Sequence, residues 1–298
     1  MIDWLYKKIS VVDLISFIFV AILIIFFFSV IKVTPYLSDL IIILVSAVLF
    51  IFYCIWLRNK NLNKKWKRLI LFLYPIILLL GIFETIHMML HYFNSNRFDA
   101  LMVKIDYLLL GCYITVWFEQ WIHPLLTEIM YIFYISYYFP PFIIIGWLLK
   151  NKKYKELEQA FFYLLTCFYG GYIIYFFVPV AGPRFFLSEF HTVPLAGYFF
   201  AGPVREFIDF LEPNKLDAFP SLHTATLMST IFVTYLFNKK MFYVFVFLSI
   251  GVFLSIFYCR YHYFVDFLAG FLWAVIAFII AHLFYQKYHS KFVFHFKE

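Results

Sequence analysis

The residues best suited to chemistry fall in three short stretches of the C-terminal half. The run Arg260-Tyr261-His262-Tyr263-Phe264-Val265-Asp266 carries an imidazole and a carboxylate four apart. On a helix that spacing puts both on one face, within hydrogen-bonding reach. A carboxylate beside an imidazole fixes its tautomer and stabilises its charged form. Asp266 also borders an apolar run, where an ionisable residue is costly and usually functional. The same spacing suits a pair that only ties a helix end, or two metal ligands, although no third thiolate or carboxylate ligand lies nearby. In Ala218-Phe219-Pro220-Ser221-Leu222-His223, Pro220 and Ser221 signal a helix start, with Ser221 as cap. His223 then sits in the first turn, where free N–H groups and the positive dipole end suit an anion such as phosphate. A histidine that merely caps or snorkels has the same pattern. In Pro179-Val180-Ala181-Gly182-Pro183-Arg184, turn residues set an arginine just beyond an apolar span. It suits bidentate phosphate binding or interfacial snorkelling.

The elements that must position these residues are membrane helices. Of 298 residues, 65% are hydrophobic and only 14% charged, against about a quarter charged in soluble domains. The composition predicts an all-α, polytopic bundle of about eight spans of roughly 20 residues. The apolar runs place them near 11–33, 37–57, 69–91, 127–149, 158–179, 220–237, 241–258 and 263–285. The first run is too long for a signal-peptide core and reads as a retained span. Between spans, 92–126 is too polar to cross and too apolar to be a free loop, which predicts interfacial or re-entrant helices. The stretch 180–219, rich in Gly, Pro and charge, reads as an ordered loop outside the hydrocarbon. No internal repeat or linker divides the chain, so a single membrane domain over 1–298 is expected, with peripheral spans in 1–68 and a catalytic core region in 69–298.

The net charge of +7 does not form a nucleic-acid-binding face. Most Lys and Arg lie in short tracts: Lys7 and Lys8, the segment from Arg58 to Arg68, Lys150 to Lys155, Lys239 and Lys240, and a tail including Lys287, Lys291 and Lys297. The positive-inside rule then puts both termini in the cytoplasm and all three polar clusters on the extracytoplasmic side. Cys54, Cys112, Cys167 and Cys259 show no CxxC spacing and read as free thiols. Glu84, His87 and His91 share a helix face, as cavity lining, interfacial residues or a conceivable metal site. His123 and His191 stand outside any constellation. His282, His289 and His295 fall at the opposite end of the last span and its tail.

In their order, Gly-Pro-Arg184, Pro-Ser-Leu-His223 and Arg260-Tyr-His262-x-x-x-Asp266 resemble the signature of the type-2 phosphatidic acid phosphatase superfamily, over roughly the last 120 residues. That signature has a Lys-and-Arg-Pro motif, a Pro-Ser-Gly-His motif and a Ser-Arg motif followed by His-x-x-x-Asp. This chain departs from it. Phe177 stands where the first motif has Lys, Arg184 follows a proline instead of preceding one, Leu222 replaces Gly, and Ile256 occupies the usual place of the third-motif Arg, for which Arg260 is the substitute. Pro-Ser-Leu-His and His-Tyr-x-x-Asp are more similar to the branch that includes inositol phosphorylceramide synthases. The segment from Asp106 to Gly111, followed by Trp117, Glu119 and Pro124, looks like that branch's upstream part.

The resemblance implies a six-helix phosphatase-like core and a metal-independent, cofactor-free lipid phosphatase that cleaves a lipid phosphomonoester or diphosphate. His262 would attack phosphorus to form a phosphohistidine. Asp266 would orient it. His223 would protonate the leaving oxygen and then activate the acceptor. Arg184, Arg260 and Ser221 would hold the phosphoryl oxygens. The substrate would be a phospholipid, polyprenyl lipid or sphingolipid, and no protein partner is implied. A phospho-head-group transferase acting on a lipid alcohol is the alternative. A non-enzymatic lipid transporter is a further one, but it calls for polar residues at bilayer depth on several helices, where this sequence has few.

Overall fold

The computed structural model describes residues 9–60, 63–211 and 216–292. Lys7, Lys8, Lys215, His295 and Lys297 lie outside the described residues. The fold is all-α, and the described residues contain no strand beyond an isolated parallel bridge between Val180 and Asp217. In chain order the helices are α1 Val11–Val30, α2 Leu37–Asn59, α3 Lys64–Phe93, α4 Asp99–Leu110, α5 Ile114–Trp117, α6 Pro124–Ser136, α7 Phe139–Lys150, α8 Tyr154–Phe177, α9 Pro183–Phe186, α10 Ala201–Leu211, α11 Leu222–Phe237, α12 Lys239–Tyr258 and α13 Phe264–Tyr288.

Six of these, α1, α2, α3, α8, α12 and α13, are long and apolar enough to cross a bilayer. Two bent pairs raise the number to eight if each is one span. The pair α6 and α7 turns by 43° and covers the expected span 127–149. The pair formed by α4 and Ile114–Trp121 turns by 62°, inside the stretch expected to be interfacial or re-entrant. The bend falls after Gly111, whose φ of 71° ends α4 in the left-handed conformation that glycine adopts without steric cost. The expected span 220–237 is the 16-residue α11. At about 1.5 Å per residue it is near 24 Å long, short of the ~30 Å hydrocarbon core.

The chain packs as two compact units. The first comprises Met1–Phe93, Ile145–Tyr169 and Phe278–Glu298. Here α1, α2 and α3 pack on one another, and large side chains such as Ile25, Phe28, Ile42 and Leu49 face outward, as a lipid solvent allows. Its polar centre is buried. Asp13 in the first turn of α1 accepts from Arg58 at the end of α2 and from Tyr74 on α3 at 2.7 Å. Ser10 and Asp13 also close a capping box at the start of α1.

The second unit comprises Asn94–Ile144 and Gly170–Ala277. α12 packs on both α6 and α11, and α10 lies on α6. One apolar cluster joins Tyr131 and Tyr134 of α6 to Ile208 of α10 and to Ile256–Cys259. Another joins Met102, Val180, Leu187, Ala218 and Tyr263. These clusters support the segments on either side of Pro183, Pro220 and His262, and all the residues singled out from the three motifs belong to this unit.

Candidate active site

The site is built around the start of α11. Ser221 is its N-cap, with Oγ accepting from Thr224 N at 3.3 Å and from the Thr224 hydroxyl at 3.2 Å. The Ser221 N–H donates to the Asp266 carbonyl at 3.0 Å, tying this helix start to the first turn of α13. Gly270 makes that approach possible: a Cβ there would lie 2.3 Å from the Ser221 carbonyl oxygen. His223, in the first turn of α11, and His262, in the turn before α13, meet directly. His262 Nε2 and His223 Nδ1 are 2.9 Å apart, and both rings are buried.

The other ring nitrogen of His262 defines the proton arrangement. Nδ1 lies 2.9 Å from the Ala218 carbonyl and 3.5 Å from Asp266 Oδ2. Both are acceptors, so Nδ1 carries the proton and, in the neutral ring, Nε2 presents its lone pair. The His223 Nδ1–H is then the donor between the rings. Ala218 is held in place because its N–H donates to the Val180 carbonyl at 3.0 Å. Asp266 is fully buried, and its Oδ2 accepts from Tyr263 N at 2.8 Å. The spacing of His262 and Asp266 pointed to their proximity. The nearer Ala218 carbonyl had no signal in the sequence, because a backbone oxygen carries none.

The segments bearing these residues are held by carboxylates of the 94–144 stretch, none of which was singled out as a site residue. Asp99 accepts from the N–H groups of Ala181 and Gly182, at 2.9 Å for the latter, and from the Tyr263 hydroxyl at 3.1 Å. Asp106 accepts from Phe264 N at 2.7 Å and Val265 N at 2.8 Å, at the start of α13. Glu128 takes the N–H groups of Phe199, Phe200 and Ala201 at 2.6, 2.8 and 3.0 Å, at the start of α10. Glu119 accepts from the Thr192 hydroxyl at 2.9 Å and from Arg260 at 2.7 Å. Each serves as a remote cap or turn lock, satisfying amides that helix starts and turns leave without partners. The available signal was the presence of acids within an otherwise apolar stretch.

Arg184 and Arg260 lie together along a cavity of about 280 Å³, whose lining also includes Tyr131, Ser188, His191 and Arg205. Arg184 pairs with Asp209 at 2.7 Å and stacks its guanidinium on Tyr261, 4.7 Å from the ring centre. Burial opposes its charge, but Tyr261 and Asp209 hold its pKa above the ordinary arginine value. Arg260 sits at φ 66° and donates to Glu119 and to the Val193 carbonyl. Burial pulls its pKa below the ordinary value, against the pull of Glu119. His191, 3.0 Å from the Thr115 hydroxyl, is pushed down to about 4, by burial and then by Arg260, and is neutral at pH 7. Two tyrosines stand between Arg184 and the histidines. Tyr261 stacks on Tyr134 at 4.2 Å, and Tyr134 lies 4.6 Å from the His223 ring. Tyr137 flanks the same ring at 4.1 Å.

Glu84, His87 and His91 are on α3 in the first unit, where the two imidazoles lie 6.3 Å apart between centroids. Among the described residues no three His, Cys, Asp or Glu side chains converge as a metal site.

A buried His–His contact with an adjacent aspartate thus lies on a helical membrane scaffold, with two arginines along a neighbouring cavity. Residues 104–280 match the PAP2 superfamily, and the chain belongs to that superfamily. It is also similar to a PA-phosphatase related-family protein of Dictyostelium discoideum, 28% identical over 172 residues, which cover 51% of this chain and 31% of that relative. The match therefore spans about a third of the relative's length. No solved structure matches the chain significantly.

Proposed function

We propose that the protein is a membrane lipid phosphatase that cleaves a phosphomonoester or diphosphate through a phosphohistidine on His262. The observation that carries this reading is the geometry of His262: Nδ1 faces the Ala218 carbonyl, with Asp266 beside it, and Nε2 is turned to His223. PAP2 superfamily membership supports a phosphatase-type lipid enzyme. In the first step Nε2 attacks phosphorus, the bond from phosphorus to the lipid oxygen breaks, and His223 gives a proton to the leaving oxygen. In the second, His223 takes a proton from water as that water attacks the phosphohistidine, and inorganic phosphate leaves. Asp266 and the Ala218 carbonyl stabilise the charge that develops on the His262 ring. The incoming phosphoryl group displaces the hydrogen bond between the histidines.

Ser221 and the first turn of α11 stand beside this reaction centre and receive phosphoryl oxygens there. Arg184 and Arg260 complete the charge balance from the cavity side, beyond the tyrosine stack. The catalytic side faces away from the cytoplasm, with both termini inside. Purified protein incubated with phosphatidic acid labelled on phosphorus releases inorganic phosphate on this reading, and acid-labile label is retained on the wild type but not on His262→Ala. Unchanged turnover in both His262→Ala and His223→Ala would sink it.

The Pro-Ser-Leu-His and His-Tyr pattern favours a second reading, in which a phospho-head group passes to a lipid hydroxyl. Leu222 of that pattern packs where a Cβ on Gly171 would lie 2.4 Å from its Cδ2, so it shapes the helix contact beside His223. Adding a lipid alcohol separates the readings: a new phosphodiester lipid marks transfer, and free phosphate marks hydrolysis.

A further inference from the structure

The imidazole of His223 has three aromatic neighbours at close range. The Tyr137 ring lies 4.1 Å from it and the Tyr134 ring 4.6 Å, tilted by 49° and 40°. The His262 ring lies 5.0 Å away and meets it at 67°. Tyr134 is in the last turn of α6 and Tyr137 follows three residues on, at the C-cap, so both rings leave one face. Their own centroids are 6.3 Å apart, too close for them to lie on opposite faces of the imidazole. They form a corner into which the His223 ring is set.

The corner is itself supported. Tyr134 is fully buried and stacks on Tyr261 at 4.2 Å and 26°. Tyr261 immediately precedes His262, and the Arg184 guanidinium covers it at 4.7 Å. The stack therefore ties the end of α6 to the segment that carries the second histidine. Tyr137 stands where α6 and α7 turn by 43° and packs on Tyr138 at 4.0 Å. None of these rings takes part in the bond-making steps.

Those steps nevertheless give the rings a task. At rest His223 Nδ1 is held by its hydrogen bond to His262. The entering phosphoryl group takes that place, so the bond no longer orients the ring when a proton must reach the leaving oxygen. A turned imidazole would present carbon instead of nitrogen, and proton transfer needs hydrogen-bond geometry. Contacts with ring faces leave the imidazole nitrogens free and so survive the arrival of the phosphoryl group. Tyrosine faces also attract the positive charge that His223 carries while it holds the extra proton.

We propose that Tyr134 and Tyr137 are positioning residues for His223, an aromatic clamp that keeps its Nδ1 aimed at the reacting oxygen once the two histidines have been separated. The inference rests on the phosphatase reading above and gives that reaction two residues outside its three motifs. The clamp uses ring area, so phenylalanine serves in place of tyrosine and an aliphatic side chain does not. Tyr137 carries the test because it is half-buried, whereas Tyr134 lies in the core.

Two measurements on the full-length protein in detergent test it. The first is turnover of phosphatidic acid. Tyr137→Leu is expected to lower kcat about tenfold with KM within about twofold of wild type. Tyr137→Phe is expected to recover most of that loss. In a His223→Ala background, Tyr137→Leu should cost nothing further, because the group it positions is gone. A further loss of similar size there, a loss confined to KM, or a phenylalanine variant as impaired as the leucine one overturns the proposal. If Tyr137→Leu does not fold, Tyr137→Met is read in the same way.

The second is nuclear magnetic relaxation of the isotope-labelled His223 ring in a His262→Ala background, where no partner imidazole holds it. Ring motion is expected to rise in Tyr137→Leu and stay low in Tyr137→Phe. Unchanged motion in the leucine variant overturns the clamp. If motion rises there while His223→Ala and His262→Ala turn lipid over like wild type, the phosphatase reading fails and the clamp itself stands.

Discussion

Asp13 and Asp99 are both buried aspartates near helix starts, one in each compact unit, and they are used in different ways. Asp13 meets a buried guanidinium and a buried phenol, Arg58 and Tyr74, and its remaining oxygen serves its own helix through Ser10. Its charge is neutralised by a side chain, while Arg58 Nε and Nη1 are buried without an acceptor among the described residues. Asp99 meets the backbone N–H groups of Ala181 and Gly182 and a tyrosine hydroxyl. Asp106 and Glu128 likewise take backbone amides. An acid spent on a neighbour's backbone positions that segment without engaging its side chain. The segments bearing His262 and Arg184 are therefore held through their main chain, with the His262 ring turned to His223 and Arg184 lining the cavity. Charge pairing makes a brace, whereas charge on backbone makes a mount for chemistry.

Four outcomes would break or sharpen this contrast. The largest effect belongs to the reaction centre. His262→Ala is expected to lower turnover by ~10⁴ or more, about 5.5 kcal/mol of barrier, with only a small change in unfolding temperature. A collapse in stability of similar size would show the histidine to be a brace as well. Next comes Arg58→Ala in the first unit, expected to cost roughly 3–5 kcal/mol because it strands a buried carboxylate. The double replacement Asp13→Leu with Arg58→Met should recover most of that loss in a thermal-unfolding measurement in detergent. If the single variant unfolds like wild type, the pair is not a brace.

A smaller effect is expected for Asp106→Asn. One of the two amides at the start of α13 loses its acceptor, at roughly 1–3 kcal/mol. Hydrogen exchange at Phe264 and Val265 reads this directly, and unchanged protection would remove Asp106 from the mounting role. The smallest effect is the response to acid of the segment around His191. Folded, that imidazole titrates near 4, against an ordinary value of 6.5. The folded segment binds fewer protons than the unfolded one between those values, so its stability falls as pH drops from about 6.5 towards 4. Limited proteolysis of residues 187–200 should accelerate across that window in wild type and stay flatter in His191→Gln.

Much of this arrangement was legible beforehand. Long apolar runs announce membrane helices because lipid leaves few alternatives for a backbone. Ser221 was readable as a cap because the preference is local to one turn, and its hydroxyl does accept from Thr224 N. The spacing of His262 and Asp266 anticipated their 3.5 Å approach. The grouping of Arg260 with Arg184 was expected from motif order, but their partners Glu119 and Asp209 were not. Those pairs join residues 141 and 25 positions apart, and no local pattern encodes such a meeting. The extra bent pair on either side of Gly111 was also ambiguous, since composition alone does not separate a broken span from a re-entrant turn.

His223, His262 and Asp266 were marked by residue type and local spacing, because turn signals and the i,i+4 relation are properties of the chain itself. Their use was decided in three dimensions. Only packing brought His223 Nδ1 to His262 Nε2, put the Ala218 carbonyl on the opposite nitrogen, and set two tyrosines between that pair and the arginine cavity. The proton positions that make one ring nitrogen a nucleophile depend on partners 39 and 44 residues away, and such partners exist only once the helices have packed.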